Sequence, residues 1–407
     1  MTSAPREPKV VVLDHTATEG GAEIALLRLS RRLCLDGVDV RILLLGRGPL
    51  VERLERAGVP TNVHDLDSRI TEVSRHSAFR PSTVLSNALR TARSIPALVR
   101  RIKRMDVDLV VANSLKSALI VAIVAPLAHR PWAWHLHDRL SPDYLPRATT
   151  LLLRLLAAVG PRAIITNSQA VRSTLPRSAR SRTRVAYPGI EMTDTEPVTD
   201  VESALARSDR GNSPVIGMLG RVSPTKGQRE FVRAAAIIAR AYPSARFRIV
   251  GAPLFGEEDY ADSVRGEAAR LGLTTLQFAG WTDDPASELG GFDVFVHASP
   301  VPEPFGQVII EAMLAGTPVI ATRAGGVAEI VDPDATSDPT ASFALTAYGA
   351  LIAPGVPLAL AQAIESCLAD QARADERAAN ARRMVRSRFD IATSAQIVRA
   401  AWRDCLR

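Results

Sequence analysis

At 407 residues, with 46% apolar and 23% charged side chains, the chain has an ordinary soluble composition and length for two or three domains. Three widely separated cysteines, Cys34, Cys367 and Cys405, lack disulfide-framework or metal-ligand spacing, which points to a reducing, cytoplasmic compartment. The formal charge of +7 is uneven: residues 1–200 carry 29 Lys and Arg against 19 Asp and Glu, residues 201–407 carry 21 against 24. A basic first half suits phosphates of nucleic acid, an anionic membrane or a phosphorylated acceptor; it equally suits a solvated, Arg-rich surface.

The first residues lead into a strand with no apolar signal region. The longest apolar runs, Ala118–Ala128 and Leu151–Val159, fall well short of the roughly 20 residues of a membrane span. No transmembrane helix is expected.

In chain order, Lys9–His15 reads as a buried parallel strand from its run Val10-Val11-Val12-Leu13. A loop ending in Gly20-Gly21 follows, then a helix with an apolar stripe at Ala22, Ala25, Leu26, Leu29 and Leu33, stopped by Gly37. Val38–Leu45 completes a βαβ unit. A strongly basic helix is predicted at Ile95–Met105, and further strands at Leu109–Ala112, Pro131–His137 and Ala163–Thr166. The first half therefore predicts a doubly wound parallel sheet, an acceptor-binding domain over 1–190. Residues 191–213 are polar and read as a linker.

A second alternating series runs over 214–385. Strands are predicted at Val215–Leu219, Arg246–Val250, Thr275–Phe278, Val294–His297 and Pro318–Ala321, with helices at Gln228–Ala241, Asp259–Leu271, Phe305–Leu314 and Leu358–Leu368. Residues 375–407 are helical by pattern, and the last helix, over 386–407, is a candidate to cross back to the first domain. The fold class is α/β, two Rossmann-like sheets facing a central cleft, with ligands at the carboxyl ends of strands.

Two segments carry the chemistry. Gly220-Arg221-Val222-Ser223-Pro224-Thr225-Lys226-Gly227 joins a strand to a helix; a flexible loop, two cations and a helix N-terminus can hold a diphosphate. Lys226 is the only lysine after Lys116, which separates it from the common basic turn. Pro302-Glu303-Pro304-Phe305-Gly306-Gln307-Val308-Ile309-Ile310-Glu311 sets two carboxylates eight positions apart across a helix start, where both can face a ligand. A third feature is Trp132-Ala133-Trp134-His135-Leu136-His137-Asp138, which alternation gives two histidines on one strand face.

These segments, together with Phe278-Ala279-Gly280, Gly316-Thr317-Pro318-Val319-Ile320 and Gly325-Gly326-Val327-Ala328-Glu329, resemble in order and spacing the GT-B retaining glycosyltransferases of family 4. Gly20-Gly21-Ala22-Glu23 and Asn167-Ser168 are similar to that family too. The resemblance covers nearly the whole chain and is more specific in the second half, which the resemblance makes the nucleotide-sugar domain.

The resemblance implies a hexosyltransferase-like enzyme that moves a sugar from a UDP- or GDP-sugar to an acceptor hydroxyl with retention. It implies Arg221 and Lys226 on the donor diphosphate, Glu303 beside the transferred sugar, and the Phe305, Gly306 and Gln307 amides facing sugar and phosphate. Glu311 would hold the ribose, Val308 would pack near the nucleoside, and Gly220, Gly20 and Gly21 would allow close backbone approach. Trp281, after Gly280, either stacks on the base or belongs to the core. His137 matches the active-site histidine, whereas His135 also reads as a buried, hydrogen-bonded histidine. No cofactor and no metal are implied, since no Asp-x-Asp motif ends a strand. The partners implied are a nucleotide sugar and a hydroxyl acceptor of a glycan, glycolipid or small molecule, without nucleic acid, and with peripheral contact to the inner face of an anionic membrane through the basic helix as a further expectation.

Two stretches depart from the pattern. Residues 333–348 look longer than the family's usual connection and read as a mobile loop. His64–Asn87 shows no assignable motif. Rival readings are a nucleotide-sugar epimerase, a phosphorylase and a non-catalytic nucleotide-sugar-binding protein. A glycoside hydrolase built on Glu303 and Glu311 would have no use for the basic loop.

Overall fold

The computed structural model describes residues 6–65, 81–191, 213–254 and 256–407, with the backbone alone for 81–92. The chain forms two compact units, Met1–Glu191 with Phe389–Arg407, and Met192–Arg388. The linker expected at 191–213 and the unassigned stretch His64–Asn87 lie largely outside the described residues.

In the first unit the elements run β1 (Val10–Asp14), α1 (Gly21–Leu35), β2 (Val40–Leu44), α2 (Pro49–Arg56), β3 (Thr61–Val63), α3 (Pro81–Arg104), β4 (Leu109–Ala112), α4 (Leu115–Leu127), β5 (Trp132–Leu136), α5 (Arg147–Val159), β6 (Ala163–Thr166), α6 (Gln169–Ser173), α7 (Arg177–Arg180) and β7 (Thr183–Val185). The strands lie in the order β3-β2-β1-β4-β5-β6-β7, every neighbour parallel. Order reverses at β1, and helices cover both faces. Leu98, Ile102, Val121, Val124 and Leu153 pack on one face of the sheet; Leu26, Leu33, Leu50 and Leu54 pack on the other. That double cover explains why the central strands read as unbroken apolar runs instead of alternating.

The second unit runs β8 (Val215–Leu219), α8 (Gln228–Ala241), β9 (Arg246–Val250), α9 (Glu258–Arg270), β10 (Leu276–Gly280), α10 (Pro285–Gly290), β11 (Val294–His297), α11 (Gln307–Leu314), β12 (Val319–Thr322), α12 (Ala328–Val331), β13 (Phe343–Leu345), β14 (Ala350–Ile352), α13 (Pro357–Ala369) and α14 (Gln371–Arg388). Its sheet order is β10-β9-β8-β11-β12-β14-β13, again with the reversal beside the first strand. This is the place where such sheets accept ligands.

A final helix, α15 (Ile391–Asp404), returns to the first unit. Its stripe Ala395, Val398, Ala401, Trp402 and Cys405 recurs at helical spacing and joins the core beneath α1. Trp402 is fully buried, stacks on His135 at 5.6 Å between ring centroids and donates Nε1–H to His135 Nε2 at 3.2 Å. Glu7 pairs with Arg399 and Arg403 of the same helix. The stretch 375–407, helical by pattern with a last helix expected over 386–407, is two helices that divide at Phe389 and Asp390. Asp390 breaks it by turning to extended backbone and capping α15 through the Ala392 amide.

Three further differences have local causes. The basic helix extends back from Ile95 to Pro81, with Pro96 inside it. Helix α11 starts at Gln307, two residues later than expected, because Phe305 is buried as an anchor and Gly306 takes a left-handed conformation. The segment 333–348, read as a loop, carries the edge strand β13, antiparallel to β14. Asp332 accepts from the Thr336 and Ser337 amides, and Arg323 reaches back to the Ala341 carbonyl, so the stretch is tied down at both ends.

Candidate active site

Strands β8 and β11 are parallel neighbours, so the loops leaving their carboxyl ends lie side by side. Lys226 rides on the first loop and Glu303 on the second. The Lys226 ammonium donates to both carboxylate oxygens of Glu303, at 2.8 and 2.9 Å. His297, the last residue of β11 and itself buried, sets Nε2 at 3.6 Å from Glu303 Oε2. Burial by itself would raise the Glu303 pKa; the Lys226 charge and then His297 override it and hold the carboxyl well below its usual range. Glu303 is therefore ionised near neutral pH.

The two loops are locked to each other by backbone. Ser299 Oγ lies 2.6 Å from the Thr225 carbonyl and 2.8 Å from the Val301 carbonyl. Gly227 has φ +83°, and a Cβ there would stand 2.0 Å from the Ala298 carbonyl oxygen. Buried Gln228 closes the first loop from inside, donating to the Arg221 carbonyl at 2.9 Å. Behind Glu303, Gly326 donates its amide to the Glu303 carbonyl at 2.8 Å, and Gly325 at φ +69° leaves no room for a side chain against that same oxygen. The result is a preformed acid–base pair at the N-terminus of α11, where the helix adds partial positive charge.

The other sequence-predicted residues of the second unit lie on the loop after β8, on the turn after β10, and on α11 or just before it. Arg221 is partly exposed, with Nε 3.5 Å from Glu257. Gly220 has φ +151°, and the Gly251 backbone packs against its carbonyl. Phe305 is buried, so its side chain is core and only its backbone can meet a ligand. Gln307, Val308 and Glu311 lie along α11, each half-buried. Trp281 is 54% exposed and donates to Asp283 at 3.2 Å, which excludes its reading as a core residue.

His137 belongs to the first unit and ends a buried polar chain. Its Nε2 lies 3.0 Å from Asn113 Oδ1, while Asn113 Nδ2 donates to Asp14 Oδ2 at 2.6 Å. With the amide nitrogen committed to a carboxylate, the amide oxygen can only accept. His137 therefore carries its proton on Nε2. Burial lowers the His137 pKa against the opposing pull of Asp138 and Asp14, so the ring is neutral near neutrality. His15 approaches both Asp14 Oδ1 at 3.1 Å and Ser114 Oγ at 2.8 Å. Gly20 caps α1 and Gly21 opens it. His135 is the buried, hydrogen-bonded histidine, its pKa pushed down to about 3 by burial and by His137.

Sequence reasoning passed over His297, Asp14 and Asn113. Each had a signal: a polar residue closing an apolar run at the carboxyl end of a strand (Val294–His297, Val10–Asp14, Leu109–Asn113). Among the described residues no three His, Cys, Asp or Glu side chains converge as a metal site.

Comparison with known proteins bears on the family and the fold. Residues 203–384 match the family Glycosyl transferases group 1, and residues 19–194 match Glycosyltransferase Family 4. The chain spans 60% of the length of YtcC of Bacillus subtilis, with 29% identity over 257 residues, which are 60% of this chain. It is 27% identical over 381 residues to 2-deoxystreptamine glucosyltransferase of Streptomyces kanamyceticus, covering 86% of this chain and 90% of that one. Among solved structures, Anabaena Alr3699/HepE in complex with UDP and glucose superposes with a TM-score of 0.76 at 29% identity, over 96% of this chain and 98% of that one. The two family matches divide the chain at the same place as the two sheets, and the chain belongs to the group 1 glycosyltransferases of the GT-B fold.

Proposed function

We propose that this protein transfers a sugar from a nucleoside diphosphate donor to an acceptor hydroxyl, with retention of anomeric configuration. The Lys226–Glu303 pair carries the reading. An ammonium and a carboxylate held within one loop pair match the two ends of a sugar diphosphate, the ammonium for phosphate oxygens and the carboxylate for sugar hydroxyls. The crystallised UDP and UDP-glucose complexes of Alr3699/HepE favour a UDP-sugar over a GDP-sugar.

In the proposed step the bond from the anomeric carbon to the diphosphate oxygen breaks, leaving its electrons on the diphosphate. The acceptor hydroxyl bonds to that carbon on the same face, and its proton passes to the departing phosphate oxygen. Lys226 and Arg221, with the amides of Gly306 and Gln307, stabilise the growing negative charge, and Glu303 orients the sugar. Trp281 offers an exposed ring to the base and Glu311 a carboxylate to the ribose. The acceptor is assigned to the first unit, where neutral His137 is a positioned hydrogen-bonding group. Two fixed cations at the diphosphate make a metal unnecessary, and turnover that persists in EDTA is expected.

Turnover with a panel of UDP-, GDP- and ADP-sugars tests the reading, run alongside thermal shift with the same donors. A donor that stabilises the protein yet is never consumed with any acceptor would favour the binding-protein reading, and isomerisation of the free donor would favour the epimerase.

A further inference from the structure

Helices α4 and α5 pose a question that the fold leaves unanswered. β4, β5 and β6 are consecutive parallel neighbours, so the crossovers that join them lie side by side on one sheet face. Their inner flanks share one core, with Val121 and Val124 from α4 and Leu153 from α5. Their outer flanks are apolar as well. Leu119, Ile123 and Leu127 recur every fourth residue along α4, at 39%, 49% and 51% exposure. Leu151, Leu155 and Val159 do the same along α5, at 72%, 59% and 76%, with Leu152 beside them. An exposed leucine alone needs no explanation, but two parallel ridges of them mark an interaction surface.

The charge around the ridges identifies the partner. Helices α3, α4 and α5 contain no Asp or Glu, and their solvent side carries Arg93, Arg100, Lys103, Arg104, Arg147 and Arg154, all exposed. The flanking carboxylates are engaged elsewhere: Asp106 pairs with Lys9 at 3.1 Å, and Asp143 with Arg139 at 3.2 Å. A second copy of the chain is disfavoured, because a two-fold contact would set these cations against themselves. A protein hot spot is built around Trp, Tyr and Arg anchors, whereas the exposed apolar side chains here are all Leu, Ile or Val. Protruding aliphatic ridges beside an acid-free basic helix fit a fluid apolar layer beneath an anionic surface.

We propose that the outer face of α4 and α5 inserts shallowly into the interface of an anionic bilayer, with α3 lying against the headgroups. Among the described residues no helix is long and apolar enough to cross a membrane. The proposal stands on this surface and does not depend on the donor chemistry.

Flotation of the full chain tests it, with phosphatidylcholine vesicles containing phosphatidylglycerol against vesicles of phosphatidylcholine alone. The protein should float with the anionic vesicles, less so as salt rises. Replacing Leu151, Leu155 and Val159 by Ser alters no charge and no buried side chain; it should lower the partition coefficient about tenfold or more. Should that variant melt early, Arg100→Gln with Lys103→Gln and Arg104→Gln tests the headgroup contact separately, and partition should fall by a similar factor. Three outcomes overturn the proposal: no flotation on anionic vesicles at low salt, flotation indifferent to both variants, or a dimer in sedimentation that the Ser variant turns into monomer. The last would make the face an interface between copies.

Discussion

Lys226 and Glu303 are 77 positions apart in the chain, yet the ammonium bonds both oxygens of the carboxylate. In the proposed function, the group that neutralises phosphate is thus held by the group that orients sugar. Binding must divide them, and that has measurable consequences.

Glu303→Gln removes the competing charge while keeping the shape. Lys226 then meets an incoming diphosphate without an anion to displace, so UDP should bind more tightly than to the wild type. Transfer should nevertheless fall by about two to three orders of magnitude, because the sugar loses its charged partner. Calorimetry for UDP and steady-state kinetics read the two separately. Weaker UDP binding in the variant would contradict the competition.

Lys226→Ala should lower kcat/KM by about 10²–10³-fold, consistent with loss of a fixed charge at the leaving group. The protein should stay folded, since the ammonium is near the surface and Gln228 holds the loop independently. Full activity in a folded Lys226→Ala would end the assignment of the diphosphate site.

Gly227→Ala probes the junction of the two loops. A methyl group would meet the Ala298 carbonyl at 2.0 Å on a backbone already at φ +83°. Left-handed strain alone is about 1–3 kcal/mol, and the contact adds to it. Loss of thermal stability together with loss of UDP binding is expected. A variant with unchanged Tm and affinity would show that the loops are not coupled.

The return of α15 should be sensitive to acid. Hydrogen bonding and charge from Arg399, with Arg403, lower the Glu7 pKa to about 2. A carboxylate depressed in the folded state contributes stability above its unfolded pKa, near 4.3, and loses it as pH falls toward the folded value. The Tm gap between wild type and Glu7→Gln should be open at neutral pH and close between about pH 4 and 2. A gap that does not change with pH would assign the effect to packing.

Trp402→Ala removes a fully buried ring and the hydrogen-bonding partner of His135. A cost of about 3–5 kcal/mol is expected in denaturant unfolding. If α15 were a detachable tail, the loss would be well under that.

The central strands of both sheets and both candidate loops were readable because each depends on short-range pattern. Buried parallel strands announce themselves as unbroken apolar runs, and Gly220–Gly227 and Glu303–Gly306 sit where such runs stop. The strand β13 was not readable: Phe343–Leu345 is three residues long, and its state is decided by pairing with β14. Asp14, Asn113 and His297 were marked only by their place at the end of an apolar run, and their role comes from the side chains they meet on neighbouring strands and loops.

From local order alone, the chain determined the central strands, several of the helices between them, and which cations and carboxylates stand where those strands stop. Periodicity and turn chemistry act within a few residues, so one sequence is enough to read them. Tertiary structure decided who meets whom: Lys226 with Glu303, Asn113 between Asp14 and His137, Trp402 upon His135, and two leucine ridges left facing water. Those contacts join residues tens to hundreds of positions apart, and only the order of strands in each sheet brings them within reach.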